Sequence, residues 1–338
     1  MAYTTINKSS DFFNTVLYNG NATARNITTG FRPDWVWLKS RSNADHPQLF
    51  DAVRGAEERL YTSLNYAESN NVQALTSFNS DSFSLGTDQY INGSGKTYAS
   101  WNWKANGSST TTNNDGATTS YISHNSTAQF SIIKYTGTGS NTNIGHGLNG
   151  TPDCFITKGY SGATDWHLWN NSFTANQRIK INSTGGVSTN TSIFPTLPDA
   201  TKIYLGSGGD VNQSGINYIC YAWKNVAGYS KFGSYVGNDN NDGSFIYTGF
   251  KPSFVVIKKT NEANDWFIQD NKRLGYNPSN SYLEANTNLA EQAETDIDIL
   301  SNGFKCRTTG GGHNDGNYIY MAFGQSIVGS NNIPATAR

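Results

Sequence analysis

Apolar residues in this chain fall in short runs, some alternating with polar ones and some nearly continuous. The continuous runs are Trp35-Val-Trp-Leu38, Cys154-Phe-Ile156 and Phe254-Val-Val-Ile257. Each is too short for a helix and rich in β-branched or aromatic side chains, which predicts a central strand covered on both faces. A proline stands just before each run, at Pro33, Pro152 and Pro252, where a strand start need not donate a hydrogen bond. A lysine follows each proline by six residues, at Lys39, Lys158 and Lys258. A second block alternates: Tyr98-Ala-Ser-Trp-Asn-Trp103, Tyr218-Ile-Cys-Tyr-Ala-Trp223 and Tyr318-Ile-Tyr-Met-Ala-Phe323. One face of this strand carries Ala99, Trp101 and Trp103, then Ile219, Tyr221 and Trp223, then Ile319, Met321 and Phe323. It is apolar in every copy and is assigned to the core. Both blocks recur at offsets of about 120 and then 100 residues, a domain-sized period.

Three tandem repeats follow from that period. Opening strands are predicted at 11–18, Phe130–Tyr135 and Phe232–Val236, each followed by a Gly- or Asn-rich turn. Ser80-Asp-Ser-Phe83 and Ser301-Asn-Gly-Phe304 read as a matching turn and strand, and a few helical turns are predicted over Glu57–Tyr66 and Leu289–Glu294. The polar stretch from Asn106 to Gly116 has no periodicity and predicts a flexible linker. The expected boundaries are 1–106, a linker at 107–120, then 121–227 and 228–338 with a C-terminal tail. Many short strands joined by turns predict an all-β chain of three tandem β-sandwich domains of jelly-roll type, each with its own core.

Composition narrows the function classes. Charged residues are 14% and aromatics 13%, with 34 glycines, so this is not the highly charged, aromatic-poor profile of disorder. A net charge of −1 gives no global field to attract nucleic acid or an anionic membrane surface. The apolar runs are strand-length, and the start Met1-Ala-Tyr-Thr-Thr-Ile-Asn-Lys8 has no apolar core, so neither membrane insertion nor a secretory signal is expected. Cys154, Cys220 and Cys306 fall at unmatched repeat positions, which predicts free thiols in a reducing compartment.

Candidate chemistry is sparse. Gly93-Ser-Gly-Lys-Thr97 lacks the first glycine of a phosphate loop, since Tyr90 stands there, and reads as a hairpin turn. Asn238-Asp-Asn-Asn-Asp-Gly243 has the oxygen spacing of a calcium loop, but Gly249 stands where a bidentate Glu belongs. The five histidines show no metal-ligand spacing. Asp51 and Asp270 each precede an arginine by three residues, at Arg54 and Arg273, whereas the middle repeat has Asn170 and no arginine. A turn or a surface ion pair accounts for that pattern without catalysis. No catalytic, cofactor or metal residues are therefore expected. Trp166, Trp169 and Trp266 follow the central strand in a polar Asp-Trp segment and are the candidate ligand- or partner-binding residues, weighed against a role as lids over the core.

The opening Ala2-Tyr-Thr-Thr-Ile-Asn-Lys8, the block Gly30-Phe-Arg-Pro-Asp-Trp-Val-Trp-Leu-Lys39, Phe50-Asp51 with Arg54-Gly55, and Ser77–Phe83 through Trp101-Asn-Trp-Lys104 resemble a repeat found in tailed bacteriophages, especially marine ones. The ending Ala322–Arg338 resembles the terminus of the same proteins. The resemblance implies a virion structural or tail-fibre protein with a concanavalin-like sandwich. It carries no established catalytic residues, and the middle repeat departs most, with two extra residues before Pro152. The expected function is a tail fibre or adhesin-like component contacting the host surface. Alternatives are a capsid decoration protein and a polysaccharide-degrading enzyme. Expected partners are other virion proteins, further copies of the chain, and a host surface glycan. The expected location is the virion, assembled in host cytoplasm and released by lysis.

Overall fold

A computed structural model describes residues 4–273 and 277–328. Among them the chain is all-β apart from a 3-10 turn at Ser9–Asp11 and one short helix at Gly209–Asn212. No helix among the described residues is long and apolar enough to cross a membrane.

One strand arrangement occurs three times. The closing strands are Thr97–Trp103, Asn217–Trp223 and Asn317–Ser326. Each lies antiparallel between an opening strand (Phe13–Asn19, Phe130–Thr136, Ser230–Val236) and a central strand (Trp35–Ser40, Cys154–Gly159, Phe250–Lys259). The register is the same in each. Trp103 pairs with Phe13 and Trp35, Trp223 with Phe130 and Cys154, and Phe323 with Ser230 and Phe254. The sheet continues through a flanking strand (Gln48–Asp51, His167–Asn170, Trp266–Asp270) to an outer strand (Glu58–Tyr61, Gln177–Lys180, Ser279–Glu284). A smaller sheet covers one face. It is built from Arg25–Thr28, Leu75–Phe78 and Ser82–Leu85 in the first repeat, and from Thr142–Gly145 with Lys202–Leu205 in the second. In the third repeat, Phe245–Tyr247, Gln292–Leu300 and Gly303–Cys306 form it and join the large sheet at the outer strand.

Both faces of the closing strand are buried, for different reasons. Tyr98 points with Val36, Leu38, Phe50 and Phe83 into the space between the two sheets of its own repeat. Tyr318, Tyr320 and Ala322 do the same in the third repeat. The opposite face, expected to fill a separate core per repeat, instead meets the other repeats. Trp35 lies 5.3 and 5.5 Å from Tyr221 and Trp223, Phe13 lies 5.5 Å from both Phe254 and Phe323, and Trp223 lies 6.1 Å from Phe232. Trp103, Trp223 and Phe323 are all buried in this one shared core. The bulky rings of each large sheet have no second sheet on that side, so burying them requires another repeat.

Two further expectations change with the structure. The stretch 107–120 is not an unpaired linker: Thr111–Asn113 adds to Ser120–Asn125 at the edge of the second repeat's sheet, and Ser123 Oγ donates to the Gly107 carbonyl at 2.7 Å. Its threonines suit a strand once an edge is available. The helical turns at Glu57–Tyr66 and Leu289–Glu294 are absent. Glu58–Tyr61 is a strand pairing with the flanking one, and Gln292 begins another. In the C-terminal tail, 324–326 extends the closing strand against Phe250–Pro252 of the same repeat, and residues 329–338 lie outside the described residues.

Candidate functional site

The repeats form a closed ring, each gripping the one before. The lysine six residues after each proline reaches a neighbour's backbone carbonyl: Lys158 donates to Asn65 at 3.2 Å, Lys258 to Thr184 at 2.7 Å and Lys39 to Thr287 at 2.8 Å. Burial pulls these ammonium groups down to about 7, 8 and 7 respectively, although nearby carboxylates oppose the shift. Trp166 Nε1 donates to the carbonyls of Tyr61 and Leu64 at 2.9 and 3.2 Å, and Trp266 Nε1 donates to Lys180 at 3.0 Å. Trp169 stacks on Phe155 at 5.4 Å. Trp166, Trp169 and Trp266 are 1%, 4% and 3% exposed, so as ligand-binding candidates they are closed to solvent. Their rings fill the core, and two of them tie neighbouring repeats together.

The Asp-Arg pattern belongs to the same ring. Asp51 accepts from the Val53 and Arg54 backbone amides and from the Arg54 guanidinium, and Asp270 is held alike by Lys272 and Arg273. These are buried pairs, not the expected surface ones, with both side chains 0% exposed. Each carboxylate also receives a donor from the next repeat's closing strand: Tyr221 Oη at 2.7 Å on Asp51, and Trp101 Nε1 at 3.1 Å on Asp270. Burial would raise the Asp270 carboxyl, and Arg273 outweighs it and holds it below its ordinary value. At the third junction the corresponding residue on the closing strand is Met321, which has no proton to donate. There Asn170 replaces Asp and buried Phe173 replaces Arg. The three positions change together because a carboxylate without donors cannot be buried cheaply.

A solvent-facing position on each repeat takes three forms. It is built from a flanking-strand residue, its partner on the outer strand, and a residue from the turn before the closing strand. The strand pairs are Gln48 with Tyr61, His167 with Lys180, and Phe267 with Glu284. The turn residues are Tyr90, Asp210 and Gly312. These correspond because the asparagine two residues on, Asn92, Asn212 or Asn314, donates six residues back to Gly86, Gly206 or Thr308. The residue between, Ile91, Val211 or His313, offers its carbonyl to an opening-strand tyrosine.

In the second repeat the position is filled by charge. His167 Nε2 meets Asp210 Oδ2 at 3.0 Å, and Lys180 pairs with Asp165. The bond to His167 holds the Asp210 carboxyl down at about 2. Asp165, His167 and Asp210 bring ligand atoms within 4.8 Å of one another, but the Lys180 ammonium already supplies a cation there. In the third repeat it is filled by apolar packing. Gly312 sits so close that a Cβ would lie 3.1 Å from the Phe267 ring, and His313 and Tyr282 pack on that ring at 4.7 and 5.0 Å.

In the first repeat the position is open. A cavity of about 450 Å³ is lined by Gln48, Tyr61, Tyr66, Tyr90, His46, Arg59 and Asp45. Tyr66 and Tyr90 are 59% and 44% exposed. The charges on its rim are matched: Lys96 meets Asp45 at 2.9 Å, and Arg59 lies 3.7 Å from Asp88 and over the Tyr61 ring at 5.0 Å. Burial and then the Lys39 charge lower the His46 imidazole below its ordinary value, although Asp45 opposes the shift. Gln48 is 1% exposed, and its Oε1 has no hydrogen-bond partner.

Sequence reasoning passed over this groove. Its signal was the contrast at aligned positions, Gln48 against His167 and Phe267, and Tyr90 against Asp210 and Gly312. That contrast is legible only after the turn asparagines are matched. Comparison with curated proteins and with solved structures returned no match. One family model, Domain of unknown function (DUF7483), matches residues 8–326 as a single span, taking in all three repeats and the core they share. The chain belongs to that family.

Proposed function

We propose that the chain is a non-enzymatic binding component of a tailed-bacteriophage virion, placed in the tail, which contacts the host surface through the open groove of its first repeat. The observation that carries the binding reading is the contrast among equivalent positions. Two repeats close theirs with their own side chains, while the first leaves a cavity lined by two exposed tyrosine rings. Exposed rings around a concave, partly polar cavity suit an external ligand. The carboxylates around the groove are engaged in ion pairs with Lys96 and Arg59, which suits binding better than acid–base catalysis. The phage assignment rests on the sequence resemblance. In this reading the chain is assembled with other virion proteins in host cytoplasm and released by lysis.

Adding the purified chain to host cells before infection should slow particle adsorption, and the Tyr66→Ala chain should not. Unchanged adsorption at saturating protein would overturn the attachment role. A second reading, capsid decoration, is favoured by one observation. The three repeats follow one another round a ring with matching contacts, the shape expected of a cap on a three-fold lattice point. Electron microscopy of labelled particles separates tail from capsid.

A further inference from the structure

If the first-repeat groove is a binding site, as proposed for host contact, its lining selects one ligand class. The ring faces of Tyr66 and Tyr90 offer flat apolar surface beside polar groups, the pairing that grips a pyranose ring: C–H bonds on the aromatic face and hydroxyls at the edge. His46 Nδ1 already engages Ser63 Oγ at 2.8 Å. With Asp45 and Arg59 matched to Lys96 and Asp88, no unpaired charge awaits a charged ligand. The volume of about 450 Å³ lies within the range of small-ligand clefts. A larger hollow of about 740 Å³, lined by Thr4, Ser126, Gln129 and Asn149 among others, has no aromatic ring in its wall.

We infer that the groove lined by Tyr66 and Tyr90 is a binding site for a neutral pyranose sugar, seated on the tyrosine rings. The site is set in place by the second repeat. Trp166 and Lys158 bind the carbonyls of Leu64 and Asn65, and the Glu68 amide donates to Tyr160 at 2.8 Å, so the loop carrying Tyr66 is clamped on both sides of it. Clamping the loop beforehand lowers the ordering cost of binding. Trp166 is thus a positioning residue for the groove.

The test uses the full purified chain and saturation-transfer NMR with methyl glycosides of glucose, galactose, mannose and N-acetylglucosamine at millimolar concentration, with glucuronate as a charged control. At least one neutral glycoside should bind saturably. Tyr66→Ala should weaken it about tenfold or more. Trp166→Phe, which keeps an aromatic ring but removes the indole donor, should weaken it severalfold while the chain still melts cooperatively. No binding by any neutral glycoside, equal or tighter binding of glucuronate, or full binding by Tyr66→Ala would each overturn the site. Binding without any effect of the chain on adsorption would instead overturn the attachment role and leave the site standing. Blocked adsorption without glycoside binding would do the reverse.

Discussion

The first and second repeats share strand order and register and differ in how they treat polar groups. At its junction the first repeat buries a carboxylate, Asp51, and surrounds it with Arg54 and Tyr221. The second presents Asn170 and Phe173 to Met321. At the solvent-facing position the roles reverse. The second repeat fills the place with the His167–Asp210 pair, whereas the first leaves an open cavity lined by exposed tyrosines. The same strand framework thus holds charged contents at one place and uncharged or open ones at its equivalent.

The sharpest way to break the junction half of the comparison is Arg54→Ala. It strands the Asp51 carboxylate in the core and should cost about 3–5 kcal/mol in denaturant melts. Trp103→Ala and Trp223→Ala should cost a similar 3–5 kcal/mol, because both rings lie in the shared core. Converting the pair to the second repeat's chemistry, Asp51→Asn with Arg54→Phe, should recover most of the Arg54→Ala loss, since a buried ion pair can be exchanged for apolar packing at little net cost. No recovery would show that the two junctions are not interchangeable.

Tyr221→Phe should cost about 1–3 kcal/mol by removing one donor from Asp51. Met321→Leu at the apolar junction should cost under about 1.5 kcal/mol. Equal losses would erase the distinction between the junctions.

The ring lysines give a pH signature. Their pKa values fall to about 7, 7 and 8 in the folded chain, so the unfolded chain binds more protons from there up to the unfolded lysine value near about 10.4. Their contribution to stability is therefore full above about pH 10.4 and is lost steadily as pH falls from there to about 7–8, where the folded groups protonate. Against wild type, Lys158→Met should lose on the order of 1 kcal/mol of the stability gained between about pH 7 and pH 9. Identical slopes would contradict a buried ammonium. The smallest stability change belongs to Tyr66→Ala, within about 0.5 kcal/mol for an exposed ring, although it should abolish most groove binding.

The strands and their threefold recurrence were legible because proline, lysine and aromatic spacing report backbone register directly. Trp103, Trp223 and Phe323 were placed in a core for the same reason. What the closing strand faced was not legible: a strand apolar on one face reads alike whether a second sheet or a second repeat covers it. The burial of Trp166 and Trp266 was hidden by the polar residues around them, Asp165 and Asp265, which turn toward Asn182 and Asn286 while the rings turn inward. The groove was hidden because an opening is a property of what neighbours fail to fill, and Gln48 in isolation is an ordinary strand residue.

The central claim is that three repeats fold as one body around a shared core. Scanning calorimetry of the wild-type chain tests it most directly. The account predicts a single unfolding transition whose calorimetric and van't Hoff enthalpies agree, as for one cooperative unit. Two or three resolved transitions, each persisting when another repeat is destabilised by Trp103→Ala, would contradict it.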